Sequence, residues 1–322
     1  MRHFFIINPT AGKGKENLKW LDRIQAFSQA HHGRWNIQTH VTNGVGNATQ
    51  FIRTTMEADA SPARFYACGG DGTLGEVVNG AYGFPQAQVG MVPLGTGNDF
   101  PRNFTNPNSF WNIESQLSGT PRQLDLLRIK DATTGLDLYC INMVNIGFDC
   151  SVVERMANAK TSLLWGSFAY YKSILIQFFQ PLGVNLSFFL EDGEALHGRH
   201  LLVSAANGSY CGGGFKAAPY GNMDNGLMEI GIVKAVSRMR ILQLIGLYKK
   251  GTHMESKHGP QVVTYRQAKS LRITAPVPTS ICVDGEIFTM EDLELSVLKQ
   301  AISFVIPRGA GIHQNPIYPG KL

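Results

Sequence analysis

A change of hydrophobic rhythm part-way along the chain constrains its fold more than any other feature. Over the first third, short apolar runs alternate with stretches of helical period. HFFII at residues 3–7 is followed by Leu18, Leu21, Ile24 and Phe27 at helical steps. WNIQTHVT at 35–42 precedes a second helical pattern through Ala48, Phe51, Ile52 and Thr55. RFYAC at 64–68 leads into the helical stretch LGEVVNGAY, and QVGMVP at 88–93 reads as a fourth strand. Strands alternating with helices predict a parallel sheet covered by helices, and such sheets bind ligands at the carboxyl ends of their strands.

After about residue 123 the rhythm becomes that of short strands: LDLLRI, LDLYCINMV, VNLSFFL, HLLVSAA, GLMEIGIV, SLRITA, SICVDGEIF and AISFVI. Asp-Gly and Asn-Gly turns separate several of them, the pattern of an antiparallel sandwich. Helical insertions are expected near 151–179 and 237–250. The predicted fold is therefore an α/β domain with a parallel sheet over 1–123 and a mainly antiparallel β-sandwich over 124–307. A tail over 308–322 is expected to return to the first domain, and the ligand to lie between the two.

The 322 residues are 43% hydrophobic and only 16% charged, which excludes a disordered chain. A net charge of +5 suits an anionic ligand or membrane face but is too weak to argue for nucleic acid. Cys68, Cys140, Cys150, Cys211 and Cys282 are odd in number and lack CxxC spacing, so they read as reduced thiols of a cytoplasmic protein. The opening MRHFFIINPTAGKGK has too short an apolar run for a signal peptide. The uncharged stretch 173–190 is broken by Pro181 and Gly183, and reads as a helix end, a turn and a strand rather than a membrane span.

Three loops follow predicted strands: NPTAGKGK at 8–15, GGDGT at 69–73 and PLGTGNDFPRNF at 93–104. GDGTLG matches GxGxxG, yet the next strand ends Met91-Val92-Pro93 without the acid a dinucleotide site needs. HRD, DFG and Walker A sequences are all missing, which excludes protein kinases and P-loop enzymes. Thr73 and Glu76 spell a capping box, which accounts for Gly70, Gly72, Thr73 and Glu76 as a tight strand-to-helix turn. It does not account for Asp71. An acid among phosphate-facing amides makes sense when a divalent cation sits between acid and phosphate, since Mg2+ favours one or two carboxylates plus phosphate oxygens. Asp71 and Asp99 would hold that metal, with Lys13 and Arg102 balancing the remaining charge. This is the chemistry of phosphoryl transfer, where positioning and electrostatics dominate.

GGDGT together with GTGNDFPR at 95–102 resembles the catalytic region of diacylglycerol-kinase-type lipid kinases, a family whose bacterial branch includes phosphatidylglycerol-kinase-like and sphingosine-kinase-like proteins. The likeness continues through NPTAGKGK, NGSYCGGGFKAAP at 207–219 and VDGE at 283–286, so it runs from about residue 5 to residue 307. It implies an enzyme that phosphorylates a lipid hydroxyl with ATP and Mg2+. By position it places Asn8, Lys13, Thr42, Gly69, Gly70, Asp71, Gly72, Thr73, Glu76, Gly95, Thr96, Asn98, Asp99 and Arg102 at the nucleotide. It implies that Asp284 or Glu286 takes the acceptor's proton, with Asp284 the first choice, presented by its turn; Asp-Gly between apolar runs is equally a hairpin turn in its own right. Bacterial members carry Asp-Gly-Leu in a loop holding a structural Mg2+. Here the loop reads NMDNGLMEI, with Asn222, Asp224, Asn225 and Leu227 as its candidate ligands and Asn225 in place of the acid, so the site should be weaker or empty. An Asn-Gly turn explains the same residues.

Two further stretches invite competing readings. HGRH at 197–200 reads as a solvated turn rather than a metal pair. SRMRILQLIGLYKK at 237–250 has an apolar stripe with basic ends, suited to packing on its own domain or to lying on an anionic membrane. The whole reads as a cytoplasmic lipid kinase, peripherally and transiently membrane-associated, with a lipid acceptor suited by Phe178, Phe179, Phe188 and Phe189 in an apolar second domain. It has no nucleic-acid partner, and a homodimer is compatible with it. Two other functions share the motifs: a small-molecule kinase such as an NAD kinase, and a nucleotide sensor without activity.

Overall fold

The computed structural model describes residues 1–12, 14–147, 150, 183–191 and 193–320. Lys13, the helical insertion expected near 151–179, and Phe178 and Phe179 lie outside the described residues. The chain forms two compact units: Met1–Asp125 with Lys299–His313, and Leu126–Leu298 with Gln314–Leu322.

The first unit alternates as its hydrophobic rhythm requires: β1 (Arg2–Ile7), α1 (Leu18–Ala30), β2 (Asn36–Val41), α2 (Asn47–Ala58), β3 (Ala63–Gly69), α3 (Asp71–Ala81) and β4 (Ala87–Pro93). The strands are parallel in the order β4-β3-β1-β2, with Ile7 opposite both Val41 and Cys68 and Gly69 opposite Pro93. All four carboxyl ends therefore stop at one edge. Both faces of this sheet are covered, which is why β1, β3 and β4 are largely apolar and buried, while the edge strand β2 is polar and partly exposed. On one face Phe5, Ile7, Tyr66 and Val92 pack with Trp20 and Ile24 of α1 and with Ile113 and Leu117 of the short α4 (Ile113–Leu117). On the other, Phe4 stacks on Phe65 at 5.1 Å and meets Phe51 of α2 edge-on at 5.8 Å. After β4 the chain makes a 3-10 turn, Phe100–Asn103, and the two-residue β5 (Phe104–Thr105), which pairs with Gly311–Ile312. Ser303 and Phe304 add alongside Gln88 and Val89 of β4, parallel to them. The Phe304 ring lies 5.0 Å from Phe100 and 5.7 Å from Phe104.

The second unit is built from antiparallel strands: the end of β6 (Thr120–Asp131), β7 (Leu136–Cys140), β8 (Met143–Gly147), β9 (Val184–Leu190), β10 (Ala195–Ala206), β11 (Met228–Lys234), β12 (Val263–Ala268), β13 (Ser270–Val283) and β14 (Glu286–Ile306), whose residues from Lys299 onward belong to the first unit. The order is β12-β11-β10-β8-β13-β14. The amino-terminal halves of the long strands β10 and β13 pair with β9, and their carboxyl-terminal halves with β8. Both long strands carry a register break, between His200 and Leu202 and between Thr274 and Thr279. Leu127, Ile146, Phe188, Val203, Ile230, Ile281 and Leu293 fill the sandwich between them. Phe189, one residue on, points outward, where the Arg272 guanidinium lies 5.8 Å from its ring.

HGRH corrects its expectation. It is not a solvated turn but part of β10, where residues 197–200 pair with Ser187 to Val184 of β9. Cross-strand pairing overrides a turn-like composition, with Gly198 taking φ +144°. His197 stays exposed and bonds Ser187 Oγ at 2.8 Å, while His200 is buried edge-on against Phe188 at 4.9 Å.

The helix expected over 237–250 forms as α5 (Arg238–Lys250). Ser237 Oγ accepts from the Arg240 amide, and Gly251 closes the helix in the left-handed conformation at φ +75°. Its Ile241 packs with Leu201, Leu202, Val233 and Val263.

Two titratable groups are buried in this unit with opposite consequences. Glu229 of β11 accepts from Gln267 Nε2 at 2.7 Å, and burial pushes its carboxyl up to about 7. His253, just after α5, lies 4.8 Å from the Tyr248 ring with neither ring nitrogen hydrogen-bonded, and burial pulls it down to about 4. Glu229 is raised above its unfolded value, so its contribution is complete at acid pH and is lost as pH rises through about 7. His253 is depressed, so its contribution is complete above 6.5 and is lost as pH falls toward 4. Glu229→Gln should therefore stabilise the second unit at pH 8, by roughly 2–3 kcal/mol at most, and change little at pH 4.5. Melting curves of the parent and variant at the two pH values test this.

Candidate active site

Three loops leave the carboxyl edge of the parallel sheet and lock into one another through main-chain contacts. Asn8, directly after β1, donates its amide to Cys68 O at 3.0 Å and accepts from Thr10 N and Oγ1 at 3.0 and 2.9 Å. Its Nδ2 donates to Thr73 Oγ1 at 3.0 Å, tying the first loop to α3. Thr42, at the end of β2, is buried and donates its amide to Ile7 O at 2.9 Å. Gly69 O accepts from Leu94 N at 2.7 Å and Gly95 N at 3.1 Å. A Cβ on Gly95 would stand 2.4 Å from Gly70 Cα, and one on Gly12 would stand 2.2 Å from Leu94 O. Only glycine permits these approaches.

The capping box does not form. α3 starts at Asp71, with Gly70 as its N-cap and no side-chain cap. Thr73 is already inside the helix, where its hydroxyl accepts from Asn8. Glu76 caps a different helix: its Oε2 accepts from Ala48 N at 3.1 Å, in the first turn of α2, where the N-cap Gly46 has no side chain to offer. The local motif is outcompeted by two partners distant in sequence.

Asp71 is held by main-chain amides of the third loop. Asp99 N lies 3.1 Å from both carboxylate oxygens, and Phe100 N donates to Oδ1 at 3.0 Å. Enclosure of this carboxyl pushes it above the ordinary range, against the pull of those amides and of Arg102. A Cβ at Gly97 would lie 3.4 Å from Asp99 Oδ2 and 3.5 Å from Asp71 Oδ2, so the two carboxylates flank that glycine. Arg102 Nε is 3.5 Å from Asp99 Oδ1, and its Nη2 donates to Gly97 O at 3.3 Å. Asn98, at φ +47°, shapes the loop by accepting from Gly95 N at 3.0 Å and donating to Gly95 O at 2.9 Å. Thr96 is exposed at the tip. Within the first unit the loops thus tie Asn8, Gly69, Gly70, Asp71, Thr73, Gly95, Asn98, Asp99 and Arg102 to one another at the carboxyl edge of the sheet, while Glu76 serves α2.

The predicted residues of the second unit form separate groups. Asp284 and Gly285, at φ +46° and +87°, make the two-residue turn between β13 and β14, with Val283 paired to Glu286. The sequence leads one to expect this turn to present Asp284 into a cleft; in the structure the side chain packs within its own unit. Its carboxylate faces the β7–β8 connection and accepts from Ile141 N, Asn142 N, Met143 N and Cys140 Sγ at 2.9–3.1 Å. Only 5% of Asp284 is exposed, and burial pushes its carboxyl up to about 6 despite those donors. Glu286 is half-buried at the start of β14. In the Asn222–Leu227 loop, Asn222 Oδ1 accepts from Asp224 N at 3.2 Å and Asn225 Oδ1 from Leu227 N at 3.0 Å, so both amide oxygens serve the loop's own backbone. Among the described residues no cluster of three or more His, Cys, Asp or Glu is placed to hold a metal.

A model of the diacylglycerol kinase catalytic domain matches residues 2–129, and one of the YegS C-terminal NAD kinase beta sandwich-like domain matches residues 142–306. The chain belongs to the bacterial diacylglycerol kinase family. It is a lipid kinase, a phosphotransferase with an alcohol group as acceptor. A diacylglycerol kinase of Bacillus subtilis (strain 168) is 25% identical over 308 residues, covering 94% of this chain and 95% of the relative. One of Staphylococcus aureus (strain MRSA252) is 28% identical over 287 residues, covering 87% and 84%. The crystal structure of a diacylglycerol kinase from Bacillus anthracis (strain Sterne) has the same fold, with a TM-score of 0.67 at 18% identity over 95% of this chain and 97% of that one.

Sequence reasoning missed the partners of two acids: the Ile141–Met143 amides beneath Asp284, and Ala48 beneath Glu76. A backbone amide leaves no mark in a motif. Glu76→Ala should speed hydrogen exchange at Ala48 and leave α3 protected. Asp71→Ala should speed it at Asp99 and Phe100 and cost about 1–3 kcal/mol, because two amides lose their acceptor. Site-resolved exchange distinguishes the two.

Proposed function

We propose that this kinase transfers the γ-phosphoryl group of ATP to the hydroxyl of a diacylglycerol-like lipid. The observation that carries the reading is the pair of carboxylates flanking Gly97, set against a helix start whose amides are free of side-chain caps. Amides at the start of α3 favour phosphate oxygens. Asp71 and Asp99, with Arg102 as their neighbouring cation, fit a divalent metal, since enclosure pushes the Asp71 carboxyl up and a metal beside it would relieve that. Mg2+ held there would neutralise charge on the phosphates. The names of the curated relatives support the acceptor.

In the transfer, the lipid hydroxyl oxygen bonds to the γ-phosphorus, the bond to the β–γ bridging oxygen breaks, ADP leaves, and the hydroxyl proton passes to a carboxylate. Glu286 suits that last role better than Asp284. Asp284 is engaged by four donors and fixes the β7–β8 connection, so it acts as a positioning residue.

Incubating the protein with labelled ATP and a panel of diacylglycerol, phosphatidylglycerol, a sphingoid base and a polyprenol in mixed micelles tests the reading. Labelled product is expected from diacylglycerol, and phosphorylation of NAD at a comparable rate would overturn the lipid assignment. Glu286→Gln should lower kcat by about 10²–10⁴-fold with the KM for ATP and the Tm near those of the parent. Asp284→Asn should lower Tm as well as rate. Full turnover by Glu286→Gln would return the base to Asp284.

A further inference from the structure

The last stretch of the second unit is fastened by two side chains. Residues 314–320 form neither helix nor strand, and all of them except Asn315 and Tyr318 are exposed. Tyr318 lays its ring 5.2 Å from Tyr265 and 5.4 Å from Tyr220, and donates its hydroxyl to Tyr265 O at 2.7 Å. Asn315 engages three points of the irregular loop that joins β10 to β11. Its Nδ2 donates to Ser209 Oγ at 3.0 Å and to Gly221 O at 2.7 Å, and its Oδ1 accepts from Lys216 Nζ at 2.8 Å. A lysine only donates and a carbonyl only accepts, so the amide fits in one orientation. The loop needs such a tie, because its glycines 212–214 all take positive φ and glycine is the residue that loses most freedom on being ordered. From the same loop a chain of hydrogen bonds runs to the VDGE hairpin. Asn207 N and Gly208 N donate to Asn142 O at 2.8 and 3.0 Å, and Asn142 Nδ2 donates to Tyr210 O at 2.9 Å. Asn142 N in turn donates to Asp284 Oδ1 at 3.0 Å.

We propose that Asn315 is a positioning residue for phosphoryl transfer: the segment 314–320 is a clasp that sets the 207–221 loop and, through Asn142 and Asp284, the hairpin that carries Glu286. None of the described residues that fill the sandwich comes from this segment, so the unit's core is complete without it. A stretch fastened by two side chains opens locally at far lower cost than the unit unfolds, and coupling through a contiguous network of hydrogen bonds carries that opening to the hairpin. Release of the clasp therefore lowers the rate of transfer while leaving the fold intact. The proposal rests on the reading that the hairpin 283–286 supplies the base.

Site-resolved hydrogen exchange, steady-state kinetics in mixed micelles of diacylglycerol and melting curves of two variants test it. Asn315→Ala removes all three bonds, whereas the isosteric Asn315→Asp keeps the one to Lys216 and sets a carboxylate oxygen against Gly221 O. Both should exchange about tenfold faster than the parent at the amides of Asn142, Asn207 and Gly208. Both should lower kcat by about 10–100-fold, with the KM for ATP and the Tm near those of the parent. Combined with Asp284→Asn, Asn315→Ala should cost less than the product of the two single losses, because both act along one path. Unchanged kcat with a lowered Tm would overturn the proposal by making the segment a structural strap only. Losses that multiply, or exchange at Asn142 as slow as in the parent, would overturn it as well. So would a raised KM for ATP at unchanged kcat, which would make the segment part of the nucleotide site. The exchange measurement needs no substrate. If Glu286→Gln and Asp284→Asn both turn over at the parent rate, the base reading fails, and faster exchange at Asn142 still upholds the clasp.

Discussion

The ligand edge of the first unit depends on a direct contact between two pieces of backbone. Gly70 and Gly95 approach so closely that a Cβ on Gly95 would strike Gly70 Cα at 2.4 Å, and Asp71 holds the contact shut by accepting from the amides of Asp99 and Phe100. Everything else on that edge is referred to it. The approach sets where Asn98 can turn, where Asp99 stands relative to Asp71, and how Arg102 reaches Gly97. A shape of this kind needs few specific side chains, because main-chain groups supply most of the hydrogen bonds.

The same device recurs in the second unit with a different outcome. Asp284, like Asp71, is a buried acid whose oxygens face successive backbone amides, yet it also receives a thiol and turns away from its own hairpin tip. Burial raises both acids. In Asp71 the neighbouring Asp99 and Arg102 make the enclosure a place for charge exchange, whereas around Asp284 every donor belongs to one chain connection. That difference separates a residue suited to ligand binding from one suited to holding a loop.

How much of this was legible in the sequence follows from the range of the forces involved. Strand and helix alternation through β4 was legible because apolar periodicity reports burial directly. The Asp-Gly turn was legible because positive φ at two successive residues restricts the choice of side chain. The destination of the Asp284 side chain was not, since turn chemistry fixes the backbone and says nothing of which amides lie beneath it. The capping box failed for a related reason: Thr73 and Glu76 have the right spacing, but Asn8 and Ala48 offer them partners from elsewhere in the fold. HGRH was misread because its composition is polar while its neighbour β9 supplies the pairing. The three glycine loops were correctly placed at strand ends, but their mutual contact could not be read from either loop alone.

The outermost partner of β4 has a bearing on how the molecule is made. Ser303 and Phe304 complete the first unit's parallel sheet, whose other strands are finished by Pro93, and Phe304 fills an aromatic cluster with Phe100 and Phe104. A chain emerging from the ribosome cannot supply that strand until nearly all of it has been synthesised. The nascent first unit must therefore wait with the side of β4 unpaired and its phenylalanines uncovered while the whole second unit is translated and folds. Parallel pairing across such a separation is slow to form, and an open strand edge is a site of misassociation. The order of synthesis thus runs against the order in which the first unit can be closed.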